Sequence, residues 1–171
     1  LQYIPENLIL SKRVLMLEIN IPGFKIVELN HLVLDYNGTL AFDGDPVSGV
    51  KEVLQELSEH LEIHIITADT FGKVASTFAQ DPCIIKILPQ EDQAWGKLHY
   101  VRELNSENCV CMGNGRNDSL MLQEAGLGIA VSLNEGLSRD AAFNADILIN
   151  GILPALQLLQ NPLRLKATLR S

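Results

Sequence analysis

Positive charge is scarce in this chain. Thirteen Lys and Arg residues face 21 Asp and Glu, a net charge of −8, and no basic patch stands out. That balance argues against a nucleic-acid partner or an anionic membrane surface. Cysteine is scarce as well: Cys83, Cys109 and Cys111 are an odd number and lack paired metal-site spacing. They read as buried reduced thiols rather than a disulfide framework, which suits a cytoplasmic protein. No apolar run reaches membrane-spanning length, and no signal-peptide pattern opens the chain. There is no internal repeat, low-complexity tract or linker. What remains is 171 residues, 47% of them hydrophobic, enough to bury the core of one globular domain.

Taken in order, residues 1–12 are weakly patterned. Runs 14–19 and 24–29 flank Ile21-Pro22-Gly23 and read as a β-hairpin. From residue 31 the chain alternates strand and helix about six times. Strands are expected at 31–35, 62–66, 83–88, 108–112, 127–131 and 145–149. Helices are expected at 49–61, 71–79 and 91–104, and from the turn at 113–118 through Leu122. Pro154 and Pro162 each suit the first turn of a helix, with Asn161 as a cap for the second. This alternation predicts an α/β fold, a three-layer, Rossmann-like parallel sheet with an N-terminal hairpin. The expected organisation is one domain over 1–171: a hairpin extension at 1–30, a core at 31–150 and C-terminal helices at 151–171. Trp95 falls on the apolar stripe of helix 91–104 and is expected in the core. His31, His60, His64 and His99 show no ligand-like spacing and read as structural or surface residues.

One stretch organises the rest. Asp35-Tyr36-Asn37-Gly38-Thr39-Leu40 follows the buried-looking run His31-Leu32-Val33-Leu34. An Asn-Gly pair between apolar runs is also a strong β-hairpin signal. Three further pieces decide against that reading. Thr67 and Ala68 follow the apolar run Ile63-His64-Ile65-Ile66, Lys97 lies in a later helix, and Asn114 with Asp118 follows the strand after it. Residues at the carboxyl ends of parallel strands converge on one edge of the sheet. Such a cluster suits phosphoryl transfer. A carboxylate can attack phosphorus and form a covalent intermediate. Mg²⁺ suits one or two carboxylates with phosphate oxygens, and a hydroxyl, a lysine and backbone N–H groups suit the other oxygens.

The set resembles the haloacid dehalogenase-like superfamily of phosphohydrolases over about residues 31–150. That family's first motif, Asp-x-Asp-Gly-Thr, is here Asp35-Tyr36-Asn37-Gly38-Thr39. Its second, a Thr or Ser after an apolar strand, is Thr67. Its third, a Lys, is matched by Lys97, with Lys73 as the rival. Its fourth, Gly-Asp-Gly-x-Asn-Asp, is Gly113-Asn114-Gly115-Arg116-Asn117-Asp118. The fourth looks especially like the phosphorylation domain of P-type ATPases and small soluble proteins akin to it. The resemblance implies a hydrolase with Asp35 as nucleophile, passing through an aspartyl-phosphate. It implies Mg²⁺ held by Asp35, the backbone carbonyl of Asn37, Asn114 and Asp118, directly or through water. Phosphate would be bound by Gly38, Thr39, Thr67, Ala68 and Lys97.

Two positions depart from the family. Asn37 stands where its phosphatases carry the Asp that acts as general acid and base. Asn114 stands where a metal-ligand Asp is usual. An amide cannot shuttle a proton at neutral pH, and it offers a metal an oxygen without charge. The expectation is a slow phosphatase, with a non-catalytic or phosphoryl-carrier regulatory module as the alternative. The gaps after the first and second motifs are too short for an inserted cap domain. The site should therefore be open, which suggests a large substrate or coverage by a neighbouring subunit; the expected partner is a phosphorylated small molecule or a phosphoprotein. A homodimer is also expected, from the hairpin edge and the basic residues Arg164, Lys166 and Arg170.

Overall fold

The computed structural model describes residues 16–68 and 73–171. The segment expected to be weakly patterned, the expected strand start at Val14 and the first residues of the helix expected at 71 lie outside the described residues. The hairpin is β1 (Leu17–Ile21) and β2 (Lys25–Leu29). β3 (His31–Asp35) is followed by two short strands, β4 (Ala41–Phe42) and β5 (Asp45–Pro46), and then α1 (Val50–Leu57). The middle of the chain holds β6 (Glu62–Thr67), α2 (Lys73–Thr77), β7 (Cys83–Ile87) and α3 (Gln93–Glu103). Then come β8 (Cys109–Gly113), a 3₁₀ turn at Arg116–Asp118, α4 (Ser119–Glu124) and β9 (Leu127–Ser132). The chain closes with α5 (Arg139–Asn144), β10 (Ile147–Asn150), α6 (Ile152–Gln160) and α7 (Pro162–Leu169).

Six strands form one parallel sheet in the order β10-β9-β8-β3-β6-β7. A central strand of such a sheet is covered on both faces, so β3 is apolar at consecutive positions rather than at alternate ones. Leu32 and Leu34 join the layer of α1, α6 and α7, where they meet Val50, Leu54, Leu156 and Leu165. Val33 points the other way and joins Val101 of α3, Met121 and Leu122 of α4 and Ala141 of α5. Cys109 and Cys111 share that second face and are buried and free. The hairpin lays Ile19, Ile21, Val27 and Leu29 on the first layer. No helix among the described residues is long and apolar enough to cross a membrane.

Three details differ from the sequence reading. Trp95 is 54% exposed, because α3 buries Lys97, Leu98 and Val101, a stripe at helical spacing that leaves residue 95 outside. Asn161 does not cap α7 with its side chain; its Nδ2 donates to the Gln157 carbonyl at 3.0 Å and closes α6 instead. Helix α5 was not foreseen. Its six residues lack an apolar repeat, and it starts on Ser138, whose Oγ accepts from the Ala141 N–H at 3.1 Å.

What positions the site is the change of direction at β3. The chain runs from β3 out through β6 to β7, then returns to lay β8 on β3's other side. Ligands of open α/β sheets bind at such a switch, beyond the carboxyl ends of the strands. Asp35 ends β3 at that edge. Gly113 ends β8 one residue past Met112, the partner of Leu34, and Thr67 ends β6 one residue past Ile66, the partner of Asp35.

Candidate active site

The turn after β3 is wound around one carbonyl. Tyr36 O accepts from the N–H groups of Thr39, Leu40 and Ala41 at 3.3, 2.9 and 3.0 Å. So tight a turn needs a residue in the left-handed region, and Gly38 supplies it at φ +77°. Space demands glycine as well, since a Cβ on Gly38 would stand 2.4 Å from Asn114 Nδ2. The Tyr36 ring is buried and its hydroxyl donates to the Gly44 carbonyl at 2.9 Å, which holds down the flap formed by β4 and β5. The hairpin here is thus turned at Asp43-Gly44, with both residues at positive φ, and not at Asn37-Gly38.

Beside that turn three charges meet out of water. Lys97 Nζ donates to Asp35 Oδ1 at 2.6 Å and to Asp118 Oδ1 at 2.5 Å. Lys97 is 1% exposed, Asp118 0% and Asp35 7%. Two carboxylates and one ammonium leave a net charge of −1, so the cluster retains an appetite for a cation. Burial and the nearby Asp118 carboxylate push Asp35 up to about 6, against the opposing pull of Lys97 and the Thr39 hydroxyl. Burial alone would lower the Lys97 ammonium, but the two carboxylates outweigh it and hold it above its ordinary value. Lys73, the rival lysine, is exposed at the start of α2.

The remaining oxygens gather around Thr39, which is fully buried. Its Oγ1 lies 3.1 Å from Asp35 Oδ2 and 3.2 Å from Asn114 Oδ1. The Asn114 amide is oriented by its other end, because Nδ2 donates to the Gly136 carbonyl at 3.0 Å and so leaves Oδ1 toward Thr39. Asp118 has both oxygens on protein donors. Oδ1 takes Lys97, while Oδ2 takes the N–H groups of Asn114 and Gly115 at 3.0 and 2.8 Å. An all-oxygen donor set at Asp35 and Asn114, with net negative charge beside it, fits a hard divalent cation.

Thr67 is buried on the strand next to Asp35, and Ala68 after it is half-buried. Asn37 is exposed at the rim. One wall went unnoticed in the sequence, the loop between β9 and α5. Gly136 orients Asn114, Ser138 N–H donates to the Asn114 carbonyl at 2.8 Å, and Glu135 Oε1 accepts from Asp43 N–H at 3.0 Å. Its only signal was the turn-forming run Asn134-Glu135-Gly136. Asn117 adds a tie to the lysine helix, with Nδ2 donating to Gln93 Oε1 at 2.8 Å. No further domain is inserted over the site among the described residues; the flap and the Glu135 loop are its cover.

Comparison with known proteins bears on this geometry. The family model for haloacid dehalogenase-like hydrolases matches residues 48–135. An uncharacterized protein of Methanocaldococcus jannaschii is 44% identical over 78 residues, which span 43% of this chain and 84% of that protein. Among solved structures, the fold is similar to 3-deoxy-D-manno-octulosonate 8-phosphate phosphatase from Moraxella catarrhalis, solved with magnesium ion, phosphate ion and KDO. The TM-score is 0.62 at 19% identity, over 83% of this chain and 94% of that one. It is also similar to a zinc-transporting PIB-type ATPase, with a TM-score of 0.58 at 23% identity, over 72% of this chain and 20% of that one. At these identities the similarity is one of fold.

Proposed function

The chain belongs to the haloacid dehalogenase-like hydrolases, and from that premise we propose that it is a phosphatase working through an aspartyl-phosphate on Asp35. The observation that carries this reading is the buried Asp35 carboxylate at the sheet's switch point, with the Lys97 ammonium 2.6 Å away. In the first step an Asp35 oxygen bonds to phosphorus and the bond from phosphorus to the leaving oxygen breaks. The leaving oxygen takes its proton from solvent, because Asn37 has none to give. In the second step water attacks phosphorus and the bond to Asp35 breaks. Inorganic phosphate leaves, and the surplus proton goes to solvent.

Each side chain has a part that follows from its place. Lys97 lies against the attacking carboxylate and offsets the charge the phosphoryl group brings. The Thr67 hydroxyl and the Lys97 ammonium serve the non-bridging oxygens, whereas the N–H groups of Gly38 and Thr39, expected there from the sequence, are taken up inside the turn by the Ala41 and Tyr36 carbonyls. Asp118 keeps Lys97 and the Asn114 turn in position through both of its oxygens. Asp35, the carbonyl of Asn37 and Asn114 would hold Mg²⁺, with Asp118 linked through water. Mg²⁺ held there would supply positive charge that offsets the repulsion of carboxylate and phosphate. The open rim accommodates a phosphorylated small molecule or an exposed phosphoryl group on a protein.

A second reading, a phosphoryl carrier or regulatory module on the same fold, draws support from the exposed Asn37 amide. One experiment separates the two. Wild type and Asp35→Asn are incubated with Mg²⁺ and a labelled acyl phosphate, and phosphate release and mass-mapped label on residue 35 are followed together. A phosphatase releases phosphate repeatedly and loses that release in the variant. A carrier takes up label once without turnover. Equal residual rates in both proteins, with no label on Asp35, would overturn the enzyme reading.

A further inference from the structure

A second group of side chains lies at the opposite edge of the sheet. His31 opens β3 and Glu62 opens β6, and the two are register partners. His64 stands two residues beyond Glu62 and so shares its face. His31 Nδ1 is 3.1 Å from His64 Nε2 and 3.8 Å from Glu62 Oε2, and His64 Nε2 is 4.0 Å from Glu62 Oε1. Sequence spacing hid this set, since its members come together only through strand pairing.

The distances are informative. With metal–ligand bonds of about 2.0–2.1 Å, donors around a tetrahedral ion lie about 3.4 Å apart. One donor atom from each of the three residues lies within 4.8 Å of the other two, a triangle somewhat wider than that face, which a small turn of the part-exposed Glu62 carboxylate would close. A histidine pair held by hydrogen bonding alone would account for the 3.1 Å contact. Glu62 is too far from either ring for a hydrogen bond, yet near enough to share an ion with both. His64 has a further mark of a ligand. Its remaining nitrogen, Nδ1, is 2.8 Å from the Tyr100 hydroxyl, the kind of outer contact that fixes a ligating ring. Exposure is graded across the set, with side chains at 1% for His64, 19% for His31 and 45% for Glu62. One ligand is thus anchored in the core and the others admit an ion from solvent.

We propose that His31, Glu62 and His64 bind a zinc-class divalent metal at a site separate from the phosphoryl centre. Two imidazoles and one carboxylate favour Zn²⁺ over Mg²⁺, which prefers oxygen. His31 and Asp35 stand four residues apart on one strand, about 13 Å. A metal here therefore cannot reach the transferred group. It joins the starts of β3 and β6, the strands that end on Asp35 and Thr67, and keeps one coordination position for water.

The test uses the full chain stripped with a chelator. Zn²⁺ is titrated by equilibrium dialysis with Mg²⁺ in large excess, and Co²⁺ is added as a visible-spectrum probe. The expected result is one Zn²⁺ per chain that Mg²⁺ does not displace, together with a Co²⁺ spectrum of low-symmetry nitrogen and oxygen ligation. Binding should weaken at least about tenfold in His31→Ala and in Glu62→Gln. Both positions are partly exposed, so melting curves of the stripped variants should show a folded protein. A wild type that binds no stoichiometric Zn²⁺ overturns the proposal by itself. So does unchanged affinity in either folded variant, which would leave only a hydrogen-bonded histidine pair.

Discussion

Lys97 Nζ and Asp118 Oδ1 lie 2.5 Å apart, from different secondary-structure elements and with no appreciable exposure of either side chain. Lys97 also touches Asp35, so a single ammonium separates two buried carboxylates. Removing it leaves like charges facing one another in the interior. Breaking a buried pair in this way costs about 3–5 kcal/mol. Lys97→Met should lose stability on that scale in urea melts and should form no phosphoenzyme. Adding Asp118→Asn removes one of the stranded charges, so the double variant should regain part of the stability and none of the labelling. A Lys97→Met protein as stable as wild type would show that the triad is not energetically coupled.

Asn114 is oriented by its own amide hydrogen, which donates to Gly136. Asn114→Asp adds a negative charge to the oxygen cluster and should tighten Mg²⁺. It also turns a carboxylate oxygen toward the Gly136 carbonyl, where the lost hydrogen bond should cost about 1–3 kcal/mol without metal. The two effects have opposite signs. Calorimetric Mg²⁺ titration and metal-free thermal melts should therefore show tighter binding in a less stable protein. Unchanged Mg²⁺ affinity would mean that residue 114 is not a ligand.

How much of this was legible beforehand depended on the range of the signal. Asp35, Thr67 and Asn114 announce themselves because each ends or follows a strand whose apolar run is visible locally. The parallel sheet follows from the alternation of such runs. Lys97 could not be separated from Lys73, since a helical lysine gives no local sign of burial. Trp95 was misplaced because a shift of one or two residues in the buried stripe turns the ring outward. The wall at Glu135 and Gly136 and the histidine cluster depend on contacts between distant segments. Asp43-Gly44 did carry a local hairpin signal, but the Asn37-Gly38 pair before it carried an equally strong one.

Gly38 is tested by a single methyl group. Gly38→Ala meets two obstacles, a φ of +77° and a Cβ directed at Asn114 Nδ2. The backbone conformation alone costs about 1–2 kcal/mol. Relief of the contact moves Asn114 away from Thr39. The variant should melt lower and bind Mg²⁺ more weakly, whereas Gly44→Ala in the flap turn, with open space at its Cβ, should leave Mg²⁺ binding intact. Equal Mg²⁺ affinity in Gly38→Ala and wild type would refute the contact argument.

The buried imidazole at position 64 sets an acid limit. Burial first, and then His31, holds His64 down at about 4, below its ordinary 6.5. Between those values the unfolded chain binds a proton that the folded chain refuses. The His64 contribution to stability should therefore fall as pH drops from about 6.5 toward 4 and level off below that, against the opposite contribution of Asp35, whose carboxyl is raised to about 6. His64→Gln, which lacks the titration and can still hydrogen-bond Tyr100, should remove the first contribution and so gain stability relative to wild type as the pH falls. Urea melts of both proteins in chelator across this range measure it, and parallel slopes would place the acid sensitivity elsewhere.

On the proposed mechanism, Asn37 should govern the fate of the intermediate. Attack on phosphorus by Asp35 needs charge neutralisation, which Lys97 is placed to give. Protonating the leaving group helps in proportion to that group's basicity. Hydrolysis needs a water deprotonated beside the acyl phosphate. General acid–base assistance of this kind is worth about 10²–10⁴-fold in rate, and an amide forfeits it in both steps. Acyl and aryl phosphates, whose leaving groups need little protonation, should label Asp35 readily, while alkyl phosphates react poorly. Water attack should then limit turnover, so labelled enzyme should accumulate in a rapid-quench experiment. Asn37 is exposed at the rim, so an Asp there would lose little hydration and would be free to ionise. Asn37→Asp should shorten the lifetime of the phosphoenzyme and restore activity on alkyl phosphates within that rate range. A wild type without phosphoenzyme, together with an Asn37→Asp protein that gains nothing, would leave the fold serving as a regulatory module.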